Sequence, residues 1–261
     1  MVSAKVVVQA GVIGLVGLLG AAPGRADDFT ISGLWTDTAQ YFTSPLHWDS
    51  RGWELFGGTV AAIAVAHQFD GKVRDHFAGR NPVLNGSDKN STTDALPAAA
   101  LVAGTLVAAW AFDDDAGRSE AYRMLEAAAL GGVTSEALKF AGGRLRPNET
   151  LQVNEWRKGG SSFPSLHATA AFAIGTVFAE SGTDDYRWLR RVIGYGVATG
   201  TAYARLHDNA HWLSDVVAGT AVGVYAGGFT MNQSHSHHNI AFSVVPTEYG
   251  GVGLQLTYIP Q

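Results

Sequence analysis

Three short clusters in the sequence bring together residue types that can perform chemistry on a phosphate. The clusters read Lys139-x6-Arg146-Pro147, Pro164-Ser165-Leu166-His167 and Arg205-x5-His211-x3-Asp215. Together they supply cations for binding an anion, imidazoles for attack and proton transfer, and one carboxylate. This set suits a site that holds a phosphate and attacks its phosphorus atom with a histidine.

The first cluster can bind an anion from two sides. Arg146 offers a planar, bidentate fork, and Lys139 offers a compact point charge. Arg144 is a candidate third donor. The alternative is a basic helix end that the helix dipole favours, with Glu136 pairing with Lys139. Taken alone, this cluster favours the alternative.

The second cluster predicts the start of a helix. Ser165 is a good N-cap, which places Leu166 and His167 in the first helical turn. Backbone N–H groups in that turn attract anions, and a histidine there can donate a proton to a leaving oxygen. A plain capped helix with an exposed His167 is the alternative.

The third cluster predicts an oriented nucleophile. With Asp208 as N-cap, His211 falls in the first turn of a helix and Asp215 lies one turn later on the same face. A carboxylate at that spacing can accept a hydrogen bond from one ring nitrogen and leave the other free to attack. Arg205 can hold the phosphate. The alternative is a surface His–Asp pair.

Taken together, the clusters resemble the tripartite signature of the type 2 phosphatidic acid phosphatase and vanadium haloperoxidase superfamily. The resemblance spans residues 139–215, with the motifs in the family's order. Leu166 stands where the family usually has Gly, and Ala204 stands where it usually has Ser. Leu166 adds an apolar side chain and Ala204 lacks a hydroxyl, so both departures bear on how a substrate fits.

The resemblance implies a role for each motif residue. His211 would attack phosphorus and form a phosphohistidine, with Asp215 orienting it, and His167 would protonate the leaving oxygen and later activate water. The phosphate oxygens would be bound by Lys139, Arg146, Ser165, Leu166 through its backbone N–H, and Arg205. No metal and no cofactor are implied.

The activity implied is a metal-independent phosphatase that hydrolyses a phosphomonoester or a lipid (di)phosphate. One alternative is a vanadium-dependent haloperoxidase, although those enzymes tend to be much longer. The other is a non-catalytic module that binds phosphate or lipid. Pure anion binding needs only the cations, so the retention of His167, His211 and Asp215 argues against such a module.

Composition excludes several other classes of protein. The chain has 261 residues, a net charge of −5 and no cysteine. Without cysteine there is no disulfide scaffold, thiolate zinc site or cysteine nucleophile. A net negative chain without a basic stripe is not a general nucleic-acid binder.

The N-terminus predicts export. Lys5 precedes an apolar run at 6–22, and small residues follow at Gly24 and Ala26, a pattern typical of a signal peptide. We therefore expect a signal peptide at 1–26 and a periplasmic protein. The alternative is an uncleaved membrane anchor.

The remaining pattern predicts an all-α fold, an antiparallel bundle of about six helices with a C-terminal β-hairpin. Helical segments are expected within 27–56 and at 95–112, 121–139, 168–179, 188–205 and 210–229, with loops at 70–80 and 81–94. Only 95–112 and 212–229 approach a membrane-spanning length, which favours a water-soluble bundle, with peripheral membrane contact as an option.

We expect the helical phosphatase domain to cover 27–233, with a polar linker and hairpin at 234–261. Alternating residues at 240–245 and 252–258 flank a turn at 248–251, which indicates the hairpin. The linker histidines His235, His237 and His238 could bind a divalent cation weakly, but an ordinary polar linker is favoured.

Overall fold

Helices make up most of the chain that the structure describes. The computed structural model describes residues 31–78, 91–112, 114–182, 184–232, 240–246 and 252–258. Its α-helices are α1 (Ile31–Thr43), α2 (Ser50–His67), α3 (Asp70–Ala78), α4 (Ser91–Ala111), α5 (Asp115–Gly142), α6 (Leu166–Glu180), α7 (Arg187–His207) and α8 (Leu213–Asn232). Single 3₁₀ turns lie at Ser44–His47 and Asp184–Tyr186. The prediction of a mainly helical protein is confirmed, but the predicted number of helices is wrong, because the described residues contain eight.

Two segments form helix where none was predicted, and each has a physical reason. Residues 57–66, for which no element was predicted, form the end of the longer helix α2, which begins where Asp49 accepts a hydrogen bond from the backbone N–H of Gly52 at 2.8 Å. The stretch at 70–80 was expected to be a loop, but most of it is helix α3. Asp70, the first residue of α3, is fully buried in an ion pair, so a tertiary contact outweighs the polar local sequence.

Helix α6 occupies the centre of the bundle and packs against α5, α7 and α8. The core around it is built largely from alanine together with Met124, Leu130, Ile174 and Val177. Small residues let the helices approach closely. A Cβ atom at Gly175 of α6 would lie only 2.7 Å from the carbonyl oxygen of Gly194 on α7. Such contacts set the spacing of the helices whose ends carry the motif residues.

Leu34–Ser234 form one compact unit, which contains nearly all of the helical bundle. Separately, two strands, β1 (Ile240–Pro246) and β2 (Val252–Tyr258), pair antiparallel with Ile240 opposite Tyr258. The turn expected at 248–251 lies outside the described residues, so the hairpin stays a prediction. The proposed signal peptide at 1–26 and the linker histidines also lie outside them, and the boundaries 27–233 and 234–261 likewise stay predictions.

The surface of the bundle carries many large apolar side chains. Within the described chain, one segment, Thr93–Ala111 of α4, is long and apolar enough to cross a membrane, and only 17% of it is buried inside the protein. Other exposed apolar residues lie on α2 and α7. The outward-facing set includes Trp53, Phe56 and Val60 of α2, Leu96, Val107 and Trp110 of α4, and Trp188 and Val192 of α7.

Candidate active site

The motif residues lie at two junctions between helices. Lys139 is in the last turn of α5, whose C-cap is Gly143 in the left-handed conformation with φ 52°. The loop that follows carries Arg144 and Arg146 and leads to the start of α6. The second junction, between α7 and α8, carries His211.

The start of α6 has the predicted cap. The side chain of Ser165 accepts a hydrogen bond from the backbone N–H of Ala168 at 3.5 Å, and α6 begins at Leu166. The backbone N–H of Ser165 donates to the carbonyl oxygen of Asp215 at 3.0 Å. This bond ties the start of α6 to the first turn of α8.

Leu166 and His167 occupy the first turn of α6, as predicted. The side chain of Leu166 points towards α5, where a Cβ atom at Gly132 would lie 3.7 Å from its Cδ1 atom. His167 is half-buried. The bulk of Leu166 therefore lies partly against α5.

The junction between α7 and α8 differs from the prediction. Asp208 was expected to cap the second helix, but it is the C-cap residue of α7. Asn209 follows in the left-handed conformation with φ 57°, and α8 begins only at Leu213. Asp215 provides the cap instead, because its Oδ2 atom accepts a hydrogen bond from the backbone N–H of Trp212 at 2.9 Å. His211 therefore lies in the connecting turn, ahead of the helix.

The imidazole of His211 is buried and held by a main-chain group. Its Nδ1 atom lies 2.8 Å from the carbonyl oxygen of Ser162, whereas the nearest Asp215 oxygen lies 3.7 Å away. A carbonyl oxygen only accepts, so Nδ1 carries the proton and, in the neutral ring, Nε2 keeps its lone pair. The predicted hydrogen bond from the ring to Asp215 is replaced by this one. Asp215 reaches the ring through Ser162, whose hydroxyl donates to its carboxylate at 2.5 Å.

The electrostatics of the junction favour a neutral histidine beside an ionised carboxylate. Burial lowers the pKa of His211 to about 4; the Asp215 carboxylate opposes this, and the positive charges of Arg146 and Arg205 add to it. Burial alone would raise the pKa of Asp215. Its interactions with His211 and Arg144 outweigh burial and lower that pKa. At neutral pH His211 is therefore in the form that can attack an electrophile.

Two of the predicted phosphate-binding cations contact carboxylates. The Nη1 atom of the buried Arg205 lies 2.5 Å from Oδ2 of Asp94, in the first turn of α4. The Nζ atom of Lys139 lies 2.8 Å from Oε1 of Glu136, which is the pairing expected for a basic helix end. A bound phosphate would compete with these carboxylates for the two cations.

Both junctions fall inside a segment that matches a known family. Residues 120–238 match the model of the PAP2 superfamily. This chain carries a PAP2 superfamily domain. The family resemblance that the three motifs indicated is thereby confirmed.

A curated relative of the PAP2 domain is the lipid A 1-phosphatase of Porphyromonas gingivalis. The two sequences are 39% identical over 116 residues, which is 42% of this chain and 24% of the relative. The match thus spans about a quarter of the relative's length. No solved structure matches the chain.

Arg144 has a different place in the PAP2 domain from the one expected. It was a candidate third phosphate donor, but its side chain is fully buried and forms ion pairs with Asp70 at 2.7 Å and Asp215 at 2.6 Å. The guanidinium also lies 4.7 Å from the ring centroid of Trp156 and 5.2 Å from that of Trp212. Because its guanidinium is bound to both carboxylates, Arg144 supports the junction and is not placed to bind a phosphate.

Sequence reasoning missed Asp70 and Ser162 as members of this site. Asp70 comes from α3, far along the chain from the motifs, and no local pattern links the two. Ser162 precedes the second motif closely, but its contribution to His211 comes from its backbone carbonyl, which carries no sequence signal. Among the residues that the structure describes, no group of three or more potential ligands is arranged to hold a metal ion.

Proposed function

We propose that this protein is a phosphatase that transfers a phosphoryl group to Nε2 of His211 and then to water. The observation that carries the proposal is the state of His211. Its ring is buried and neutral, its Nδ1–H group is bonded to the Ser162 carbonyl, and the charges of Arg146 and Arg205 act on it. Nε2 is thus a lone-pair donor beside cations that attract a phosphate.

In the proposed first step, Nε2 attacks the phosphorus atom and an N–P bond forms. The P–O bond to the alkoxide breaks with its electron pair, and His167 donates a proton to that oxygen. Negative charge on the phosphoryl oxygens is stabilised by Lys139, Arg146 and Arg205 and by the backbone N–H groups that begin α6. These groups are charged or oriented before the substrate arrives.

In the second step, His167 accepts a proton from water, and the water oxygen attacks the phosphohistidine. The N–P bond breaks, inorganic phosphate leaves, and the neutral His211 is restored. Asp215 holds Ser162, and so the ring, in the same place through both steps.

We further propose that the substrate is a lipid phosphate at a membrane surface. The similarity to a lipid A 1-phosphatase supports this substrate class. The apolar faces of α2, α4 and α7 support contact with the hydrocarbon of a bilayer. Asp94 joins the first turn of α4 to Arg205, so the site lies at one end of the apolar helix. A lipid headgroup would lie at the same level.

The test compares hydrolysis by the purified protein of lipid A, phosphatidic acid, an isoprenoid diphosphate and p-nitrophenyl phosphate in mixed micelles containing EDTA. We expect release of inorganic phosphate, fastest from a lipid phosphate, and a loss of at least about 1,000-fold in His211→Ala. Rapid quenching in alkali should trap a phosphoenzyme, because phosphohistidine is labile in acid.

His207→Ala is the matched control, because His207 is an exposed histidine near the same junction, with 62% of its side chain accessible. It should retain wild-type turnover. Full activity in His211→Ala would overturn the phosphohistidine mechanism. Binding of phosphate without turnover by the wild-type protein would identify a binding module instead.

A further inference from the structure

A chain of fully buried charges extends from α3 to the His211 junction. Asp70, Arg144 and Asp215 are each completely inaccessible to solvent. Arg144 bridges the two carboxylates, with its Nη2 atom on Asp70 and its Nη1 atom on Asp215. Removing one member of a buried ion pair leaves an uncompensated charge in a medium that solvates it poorly.

Asp70 also holds the start of α8 directly. Its Oδ1 atom accepts a hydrogen bond from the backbone N–H of Ser214 at 2.8 Å, and its Oδ2 atom accepts one from the Ser214 hydroxyl at 2.7 Å. The Ser214 oxygen in turn accepts a hydrogen bond from Nη1 of Arg144 at 2.8 Å. Ser214 and Asp215, the residues that follow the His211 turn, are thus tied to α3 by several bonds.

His67 anchors the outer end of this chain. Its Nδ1 atom lies 2.8 Å from Oδ2 of Asp70, and its Nε2 atom lies 2.8 Å from Oδ1 of Asn154. Arg144 makes a further bond to the carbonyl oxygen of Val153 at 2.8 Å. The loop before α6 and the end of α2 are thus both linked to Asp70, through Arg144 and His67, and these bonds hold the carboxylate in place.

We propose that Asp70 is a positioning residue for phosphoryl transfer, acting on His211 through Arg144, Ser214 and Asp215. It does not touch the ring or the phosphate. It fixes the Arg144 guanidinium, which fixes Asp215, which holds Ser162, whose carbonyl oxygen orients the imidazole. This inference rests on the proposed function, because it assigns Asp70 a part in the same reaction.

The first experiment measures kcat and KM for p-nitrophenyl phosphate in the wild-type protein, Asp70→Asn and the control Asp75→Asn. Asp75 lies on the same helix with 41% of its side chain exposed and pairs with Arg74. We expect Asp70→Asn to lower kcat by about 10- to 100-fold with little change in KM, because misplacing a reacting group slows the chemical step. Asp75→Asn should behave like the wild-type protein.

A double-mutant cycle tests the route through Arg144. In an Arg144→Gln background the buried guanidinium charge is gone, so Asp70→Asn should cost less than about 3-fold further. Equal losses in the two backgrounds would show that Asp70 does not act through Arg144. A raised KM with unchanged kcat in Asp70→Asn would also overturn the proposal.

A readout without substrate separates this inference from the proposed function. In protein labelled with ¹⁵N-histidine, the ring shifts of His211 should report a single Nδ1–H tautomer in the wild type and a mixture in Asp70→Asn. If the wild-type protein shows no turnover, the proposed function fails, but this comparison still decides the positioning role. An unchanged tautomer in a folded Asp70→Asn protein would refute that role.

If Asp70→Asn does not fold, Ser214→Ala removes only the hydroxyl that links Asp70 and Arg144. This milder variant should lower kcat by about 3- to 10-fold at unchanged KM. A wild-type kcat in Ser214→Ala would then count against the proposal.

Discussion

Ser162 joins His211, the proposed nucleophile, to Asp215. Its carbonyl oxygen accepts a hydrogen bond from Nδ1 of His211, and its hydroxyl donates to Asp215. The carboxylate itself lies 3.7 Å from the ring, so it acts on His211 mainly through Ser162 and through its charge. At the scale of single residues, a main-chain acceptor, burial and nearby arginines therefore determine the state of the proposed nucleophile.

The low pKa of His211 predicts how the stability of the protein depends on pH. The folded value is about 4 and the ordinary value about 6.5, so the unfolded chain binds more protons between these values. The contribution of His211 to the free energy of unfolding is fully present above about pH 6.5. It is lost as the pH falls towards 4, by roughly 2–3 kcal/mol.

Reversible denaturant unfolding of the wild-type protein and His211→Asn between pH 7 and pH 4 measures this loss. The wild-type protein should lose more stability than the variant over that window, while His207→Ala should follow the wild type. Parallel pH profiles for the wild type and His211→Asn would show that the buried ring is not the source.

At the scale of helices, the site depends on how closely α6 and α8 approach. Gly219 of α8 faces the start of α6, and a Cβ atom there would lie 2.5 Å from the carbonyl oxygen of Ser165. Backbone at that distance cannot give way without a shift of the helix. The same region carries Ser165, His167 and Asp215, so the spacing of the two helices sets the geometry of the site.

Gly219→Ala should therefore lower both the thermal stability and kcat, the latter by about 10- to 100-fold, by pushing α8 away from α6. Gly228→Ala, on the same helix, is the control, because a Cβ atom there would meet nothing within 4 Å. It should leave kcat unchanged and raise stability by about 0.5–1 kcal/mol through helix propensity. Differential scanning calorimetry and steady-state assays measure both effects, and equal behaviour of the two variants would contradict this account.

The helix junctions also show what local sequence can and cannot reveal. Ser165 was correctly predicted as a cap, because a serine ahead of an apolar run is a local signal. Asp208 was wrongly predicted as a cap, since it ends α7 and α8 is capped by Asp215, which an ion pair with the distant Arg144 holds in place. Asp70 pairs with residues distant in sequence, and one sequence carries no pattern that links them.

At the scale of the whole molecule, the exposed apolar side chains matter most. Val107 and Trp110 of α4 are each 68% exposed, and they belong to the one described helix that is long and apolar enough to cross a membrane. The lengths of the apolar segments favoured a water-soluble bundle, but length alone does not reveal which helix faces point outwards. The arrangement of these faces supports the proposed bilayer contact.

The bilayer contact can be tested by spin labelling, because the chain has no cysteine of its own. A nitroxide at Val107→Cys in liposomes should be more accessible to oxygen than to a water-soluble nickel chelate, since oxygen concentrates in hydrocarbon. A nitroxide at Lys158→Cys, in the loop before α6 and 59% exposed, should show the opposite order. Preference for the nickel chelate at both positions would exclude bilayer contact at α4.

The acceptor for the His211 ring is a peptide carbonyl, and this makes the hydrogen bond insensitive to point mutation at the acceptor residue. Every residue that could replace Ser162 brings the same carbonyl group, so no point mutation deletes that acceptor. Substitution at Ser162 can remove only the hydroxyl bond to Asp215. The path of the main chain thus determines the tautomer of the ring, and only changes that move this path can alter the tautomer.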